Sequence, residues 1–343
     1  MISFGSDNHA GAHPDILRAI ESANAGSEPA YGSDSFTEKA RAKFRAEFAD
    51  PSLEVLFAFS GTGANVLSLV LMLEPNEAVL CSDVAHLHVD EAGAPERLTG
   101  NKIITVPSVN GKISPTSLLP FLSWIGDHHR PQPKLLSLTQ STEYGTVYSL
   151  EEMRVLRDLA KKHGVKIHID GARLANAMIS LRCSWKEFYE ASGADVISFG
   201  GTKNGLLFGE VVLLRAGAQV GQRNLLALQK QFLQQASKMR FLAAQFLAYF
   251  SFWENNAQAA NAAARELAAI LAENKEIKIT KPVEANAVFA IFPEAWRLEL
   301  AKKFRFYTWD ALSSEVRLMC SYATTEQELK AFREALAALK RSS

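Results

Sequence analysis

The sequence predicts an α/β protein with a large domain over residues 1–244, built on a mostly parallel sheet, and a smaller C-terminal α+β domain over 245–343. Three observations predict it. Short apolar runs alternate with helix-length segments between Leu53 and Leu214, the pattern of a parallel sheet covered on both faces. After about Gly217 the chain turns to glutamine- and alanine-rich helical sequence with shorter strand-like pieces. The 343 residues also exceed what one hydrophobic core usually holds.

Residues 1–13 are irregular: Gly5-Ser6-Asp7-Asn8-His9, then Gly11 and His13. Pro14 suits the first turn of a helix running to about Ala25, and Gly26 and Pro29 end it. Tyr31-Gly32-Ser33-Asp34 reads as a turn, and Phe36, Ala40, Phe44 and Phe48 share one face of a second helix. Strands follow at 55–59, 78–82, 102–106, 135–138, 165–169, 195–199 and 211–214, with helices at 62–73, 115–125, 150–163 and 172–181 between them. Helical sequence then runs over 225–253 and 257–273. Strand-like pieces stand at 277–279, 287–292, 304–307 and 316–319, and a last helix covers 325–340.

Composition narrows the class of function. Lys+Arg and Asp+Glu are both 37, so no charge excess points to nucleic acid. Cys81, Cys183 and Cys320 are widely spaced, without a zinc or disulfide pattern, which suits a reducing, cytoplasmic compartment and no metal site. MISFGSDNHAG lacks the basic and apolar regions of a signal peptide, and apolar stretches such as 66–73 are too short to span a bilayer.

The chemistry centres on 194–210, ADVISFGGTKNGLLFGE. An apolar strand ends at Gly200-Gly201-Thr202, Lys203 follows at once, and a second apolar run begins at Val211. Partial burial penalises an ammonium, so such a lysine becomes a usable amine nucleophile able to form a Schiff base with an aldehyde. A plain surface-turn lysine is the alternative. Ser60-Gly61-Thr62-Gly63-Ala64-Asn65 opens the helix after strand 55–59, where free N–H groups and the helix dipole favour a phosphate. The same stretch also reads as a tight turn with a threonine cap. With Asp83 it resembles a dinucleotide fingerprint, but Val66 replaces the third glycine. Asp170 ends strand 165–169, placed either to pair with a pyridinium nitrogen or to cap the next helix. An acidic strand end, a phosphate cradle and a lysine on a glycine turn together fit a pyridoxal-phosphate enzyme.

These residues and others in order along the chain carry a resemblance. They include Ser6-Asp7-Asn8, Tyr31-Gly32-x-Asp34, Ala85-His86 with Asp90-Glu91-Ala92-Gly93, and Thr139-Gln140-x-Thr142-Glu143-x-Gly145-Thr146-Val147. His168-Ile169-Asp170-Gly171-Ala172-Arg173, Phe199-Gly200-Gly201-Thr202-Lys203-Asn204-Gly205, Ser237-Lys238-Met239-Arg240-Phe241-Leu242 and Val316-Arg317-x-Met319-Cys320-Ser321 complete it. The chain resembles the threonine aldolase and β-eliminating lyase family of fold-type-I pyridoxal-phosphate enzymes, most closely the bacterial low-specificity L-threonine aldolase branch that includes phenylserine aldolases.

The resemblance implies pyridoxal 5'-phosphate as cofactor, held covalently by Lys203, with Asp170 on the ring nitrogen and His86 on the ring face. It implies Ser60, Gly61 and Thr62 at the phosphate, joined by Arg240 from a neighbouring subunit, with Arg173 also beside the cofactor. Ser6, Arg173 and Arg317 would take the substrate carboxylate, while Tyr31 contributes across a subunit interface and Asp90 lies on the substrate side. His129 resembles a histidine that meets the substrate hydroxyl, so the general base is either His86 or His129. The implied reaction cleaves L-threonine, L-allo-threonine or relatives such as phenylserine to glycine and an aldehyde. The implied assembly is a homodimer or homotetramer with shared sites. A β-eliminating lyase on another amino acid is the nearest alternative, and a dinucleotide-dependent oxidoreductase is the alternative of another class.

Overall fold

Val, Ile and Leu fill seven strands whose residues are buried almost throughout, as strands covered on both faces require. The computed structural model describes residues 1–221 and 224–342, so Ser343, at the end of the expected second domain, lies outside the described residues. In chain order the strands are β1 Glu54–Ala58, β2 Glu77–Ser82, β3 Lys102–Val106, β4 Gln132–Thr139, β5 Lys166–Gly171, β6 Val196–Gly200 and β7 Glu210–Leu214. Their spatial order is β1-β7-β6-β5-β4-β2-β3. Pairing is parallel except at β7, which runs antiparallel to both β1 and β6. The start of β7, at Glu210, therefore shares one edge of the sheet with the C-terminal ends of the other strands.

Helices cover both faces. Gly61–Met72, buried from Ala64 onward, packs with Leu56, Val79, Leu135 and Val212 on one side. On the other side Phe44, Phe199, Phe246 and Tyr249 form an aromatic cluster, with the Phe44 and Phe199 rings 5.3 Å apart and near-perpendicular.

A second core joins Trp253–Ala272 and Glu326–Ser342 to a four-stranded antiparallel sheet ordered Lys278–Ile279, Ala287–Ile291, Glu315–Met319, Tyr307–Asp310. The first residues of the chain are stitched into it. Ile2–Ser3 pairs with Phe304–Arg305, the Met319 N–H donates to the Phe4 carbonyl at 2.7 Å, and Phe4 is fully buried. The chain start thus lies between the two cores, beside the mouth of the large sheet.

Helices at Ala94–Thr99, Trp185–Ser192 and Glu294–Ala301 were not expected, and two expected elements take another form. The helical run over 225–253 is broken into Leu225–Gln231 and Arg240–Tyr249, with Trp253 opening the next helix. Leu233 adopts φ 62°, and Gln229 and Gln234 bond the edge strand β1: Gln229 Nε2 to the Phe57 carbonyl at 2.7 Å, the Phe59 N–H to Gln234 Oε1 at 2.9 Å. Satisfying an open sheet edge outweighs continued helix there. The strand expected at 304–307 is two strands, one pairing with the chain start and one joining the small sheet. Among the described residues, no helix is long and apolar enough to cross a membrane.

Candidate active site

Asp170 sits one residue before the end of β5 and is buried. Its Oδ1 accepts the Ala172 N–H at 3.1 Å, the local cap expected of such an aspartate, while its Oδ2 accepts from Asn65 Nδ2 at 3.0 Å. Burial opposes its charge, but the imidazoles of His168 and His86 and these hydrogen bonds hold the carboxyl below its usual range.

The next strand end delivers Lys203. Gly200 is required: a Cβ there would stand 2.6 Å from the Ala172 carbonyl oxygen. Thr202–Asn204 then forms one short turn, closed by Gly205 at φ 113°. Lys203 is part-buried and forms no ion pair among the described residues. Burial, with the Arg173 charge, pulls its amine below the usual lysine range against the pull of Asp7, Asp170 and Glu210. Glu210 anchors the turn by accepting the Gly201 N–H at 2.9 Å, and burial pushes its pKa up to about 7.

His86 begins the short helix His86–Val89 after β2. Its backbone N–H donates to Glu143 Oε1 at 2.7 Å, and its Nδ1 lies 2.9 Å from Glu91 Oε1. Glu143 also accepts from Thr139 Oγ1 at 2.9 Å, and burial pushes its pKa up to about 7. At β1, Ser60 rather than Thr62 caps the helix, accepting the Gly63 N–H at 3.2 Å. The amides of Gly61 and Thr62 have no acceptor within the helix, and a Cβ on Gly61 would meet nothing within 4 Å. The start of this helix is open to a ligand.

Two arginines add positive charge beside Lys203 and the chain start. Arg173 donates Nε and Nη2 to Asp7 at 2.7 and 3.0 Å, and Asn286 holds the same carboxylate at 3.1 Å. Arg317 comes from the small sheet, with Trp309 4.9 Å from its guanidinium carbon. Its Nη2 reaches the Gly5 carbonyl at 3.4 Å, beside Ser6, and its buried Nε has no partner among the described residues. Burial and Arg173 push its pKa down to about 10. Exposed Asp90 ends the His86–Val89 helix, and its charge acts on Arg317.

The expected site residues divide into two groups. Lys203, Asp170, His86, Arg173, Arg317, Ser6, Asp90, Ser60, Gly61 and Thr62 come together at the strand ends of one chain. Tyr31 and Arg240 form a separate group: the Tyr31 N–H bonds the Ser237 carbonyl at 3.0 Å, and Arg240 Nη1 bonds the Gly26 carbonyl at 3.2 Å. Neither bonds Lys203, Asp170 or Arg317 among the described residues. His129 is the correction. It lies in the turn before β4, whose eight residues run from Gln132 to Thr139 at the site edge. A strand of that length spans about 25 Å, so His129 does not reach this chain's own site. Asp83, needed for dinucleotide binding, is exposed and accepts from Ser108 Oγ at 2.5 Å.

Asp7, Asn65, Glu91, Glu143, Glu210 and Asn286 were not singled out by the sequence. Asp7, Asn65, Glu91 and Glu143 lie inside the quoted motifs, but a carboxyl or amide in a motif does not say what it faces.

Comparison with known proteins agrees with this geometry. The family described as Beta-eliminating lyase matches residues 3–295. A low specificity L-threonine aldolase of a Pseudomonas species is 38% identical over 334 residues, covering 95% of this chain and 94% of that one. The protein of the same name from Pseudomonas aeruginosa is 39% identical over 331 residues, covering 95% and 94%. The solved structure of Leishmania major threonine aldolase superposes with a TM-score of 0.92 at 30% identity, covering 99% of both chains. With a family match across most of its length and relatives of this identity and coverage, the chain belongs to the β-eliminating lyase family.

Proposed function

We propose that this chain is a pyridoxal-phosphate-dependent aldolase that cleaves L-threonine, L-allo-threonine or related β-hydroxy-α-amino acids such as phenylserine to glycine and an aldehyde. The observation that carries it is the part-buried Lys203 amine, drawn below its usual pKa, at the same sheet edge as the ionised Asp170 carboxylate. The residues fit the cofactor. Lys203 would supply the amine for its aldehyde, Asp170 would accept from its ring nitrogen, and His86 would bound the ring's site. The open start of the Gly61–Met72 helix, with Ser60, Gly61 and Thr62, suits its phosphate. When bound, pyridoxal phosphate supplies an electron sink for the bond that breaks.

The protein's own part is binding, orientation and proton transfer. Arg317, whose Nε has no partner, takes the substrate carboxylate with Ser6. Arg173 has given Nε and Nη2 to Asp7 and offers Nη1. Fixing the carboxylate fixes rotation about the substrate N–Cα bond, and that selects the Cα–Cβ bond for cleavage. His86 removes the β-hydroxyl proton, a contribution of roughly 10²- to 10⁴-fold.

Arg240 and Tyr31 serve a partner's site in a homodimer or homotetramer. Tyr31 is 47% exposed and Leu233, nearby in the same surface, 80%. The free cysteines and the lack of a membrane-crossing helix among the described residues suit a cytoplasmic location.

Product analysis tests the reaction. The protein with pyridoxal phosphate should release equal glycine and acetaldehyde from L-allo-threonine. Pyruvate and ammonia from serine, without aldehyde from any β-hydroxy amino acid, would instead make it a β-eliminating lyase in reaction as well as in family.

A further inference from the structure

Asn65, Glu91 and His86 form one hydrogen-bonded chain with Asp170. Asn65 Nδ2 lies 2.7 Å from Glu91 Oε1 and 3.0 Å from Asp170 Oδ2, and Glu91 Oε1 lies 2.9 Å from His86 Nδ1. The Glu91 side chain is wholly buried while that of His86 is 40% exposed, so the carboxyl is fixed and the ring faces the open site. Left-handed Ala92 and Gly93, at φ 52° and 70°, turn the chain sharply after Glu91.

We propose that Glu91 is a positioning residue for the aldol cleavage, fixing His86 with Nδ1–H on the carboxylate and leaving Nε2 as the base for the substrate β-hydroxyl.

The proposal rests on the aldolase reading, and its argument is a count of hydrogens. The Asn65 amide faces two carboxyl oxygens, so its nitrogen, not its oxygen, points at them. Glu91 Oε1 already accepts one hydrogen and, as an oxygen of an ionised carboxylate, has none to give, so it accepts from His86 as well. Nδ1 must carry the hydrogen, and in the neutral ring Nε2 keeps the lone pair. The β-hydroxyl proton passes to Nε2, the O–H electron pair becomes the second bond of the aldehyde carbonyl, and the Cα–Cβ pair stays with the glycine fragment. A proton taken up at Cα balances the one that left the hydroxyl. Rival bases fit less well. Glu143 and Glu210 each hold a backbone N–H, and His129 stands at the far edge of the sheet.

Three groups bear on the charge of His86, and a fourth holds its backbone. Glu91 and Asp170 favour the imidazolium, Lys203 opposes it, and Glu143 holds the backbone amide. The hydrogen bond to Glu91 is the largest influence and draws the ring above its usual range, against burial. A base must be neutral, so activity should rise with pH through that raised value. Removing the Glu91 charge should move this acid limb to lower pH.

The test uses the protein with its cofactor and the variant Glu91→Gln, whose amide can donate to Nδ1 and favour the other tautomer. The expected result is a kcat for L-allo-threonine about 100-fold lower, KM changed less than about threefold, and the acid limb moved down. ¹⁵N NMR of the histidines, with His86 assigned through His86→Gln, should show the neutral wild-type ring protonated at Nδ1. A neutral wild-type ring protonated at Nε2 would overturn the proposal without reference to any variant's folding. So would a Glu91→Gln enzyme with wild-type kcat and an unmoved limb. Wild-type protein that releases no aldehyde would instead remove the aldolase reading and this proposal with it.

Discussion

At the scale of single residues, one ion pair prepares the site. Arg173 and Asp7 are 166 residues apart in sequence, meet through two hydrogen bonds, and leave 13% and 1% of their side chains exposed. Breaking a buried pair by removing one partner leaves an uncompensated charge. Asp7→Ala should therefore destabilise the protein by about 3–5 kcal/mol at neutral pH. Burial opposes the charge of Asp7, but Arg173 and Lys203 outweigh it and hold the carboxyl below its usual range. A carboxyl with a depressed folded pKa contributes stability above its unfolded value, near 3.9, and loses it as pH falls through the folded value. The gap between wild type and Asp7→Ala should therefore be full at pH 7 and shrink below about pH 4. Urea midpoints at pH 7 and pH 3 check this, and equal midpoints at pH 7 would contradict it. None of this was legible in the sequence. Ser6-Asp7-Asn8 announces a motif, but only the fold brings Asp7 onto Arg173.

At the scale of elements, period and punctuation made much of the architecture legible. Apolar runs in the sequence mark all seven strands of the large sheet within a few residues, because strands buried on both faces are mostly apolar. The strand-end positions of Asp170 and Lys203 were legible for the same reason. What the sequence hid was tertiary demand. The helix expected through 225–253 breaks after Gln231, where Gln234 leaves the helix to accept the Phe59 N–H beside edge strand β1, while Gln229, still helical, donates to the Phe57 carbonyl. Glutamine is a good helix former, so propensity gave no warning. The strand after His129 was also recognised, and its parallel pairing to β2 and β5 puts His129 at the edge away from the site.

At the scale of the whole molecule, two cores meet across the site and the chain start ties them together. Phe4 packs into the second core with Phe304 and Phe332, at ring distances of 6.3 and 5.4 Å, while Asp7, three residues on, holds Arg173 of the first. Arg317 reaches the same place from the small sheet, so the proposed carboxylate site draws on three separate parts of the chain. Arg240 belongs to none of them within one chain, which is why a partner is invoked. Co-expressing Lys203→Ala with Arg240→Ala tests that. In a two-fold dimer half the molecules would be hybrids with one intact site each, recovering about a quarter of wild-type activity from two impaired variants. Activity no greater than the average of the two separate variants would contradict shared sites.

The central claim is that Lys203 holds pyridoxal phosphate and that the site then cleaves a β-hydroxy amino acid. The visible absorption spectrum of the purified protein, before and after L-allo-threonine, tests it most directly, with Lys203→Ala beside it and aldehyde measured in the same cuvette. The account predicts a yellow wild-type protein whose band shifts on addition as acetaldehyde appears, and a Lys203→Ala variant with no steady aldehyde release. A wild-type protein that stays colourless with added pyridoxal phosphate, or a Lys203→Ala variant that turns over steadily, would contradict it.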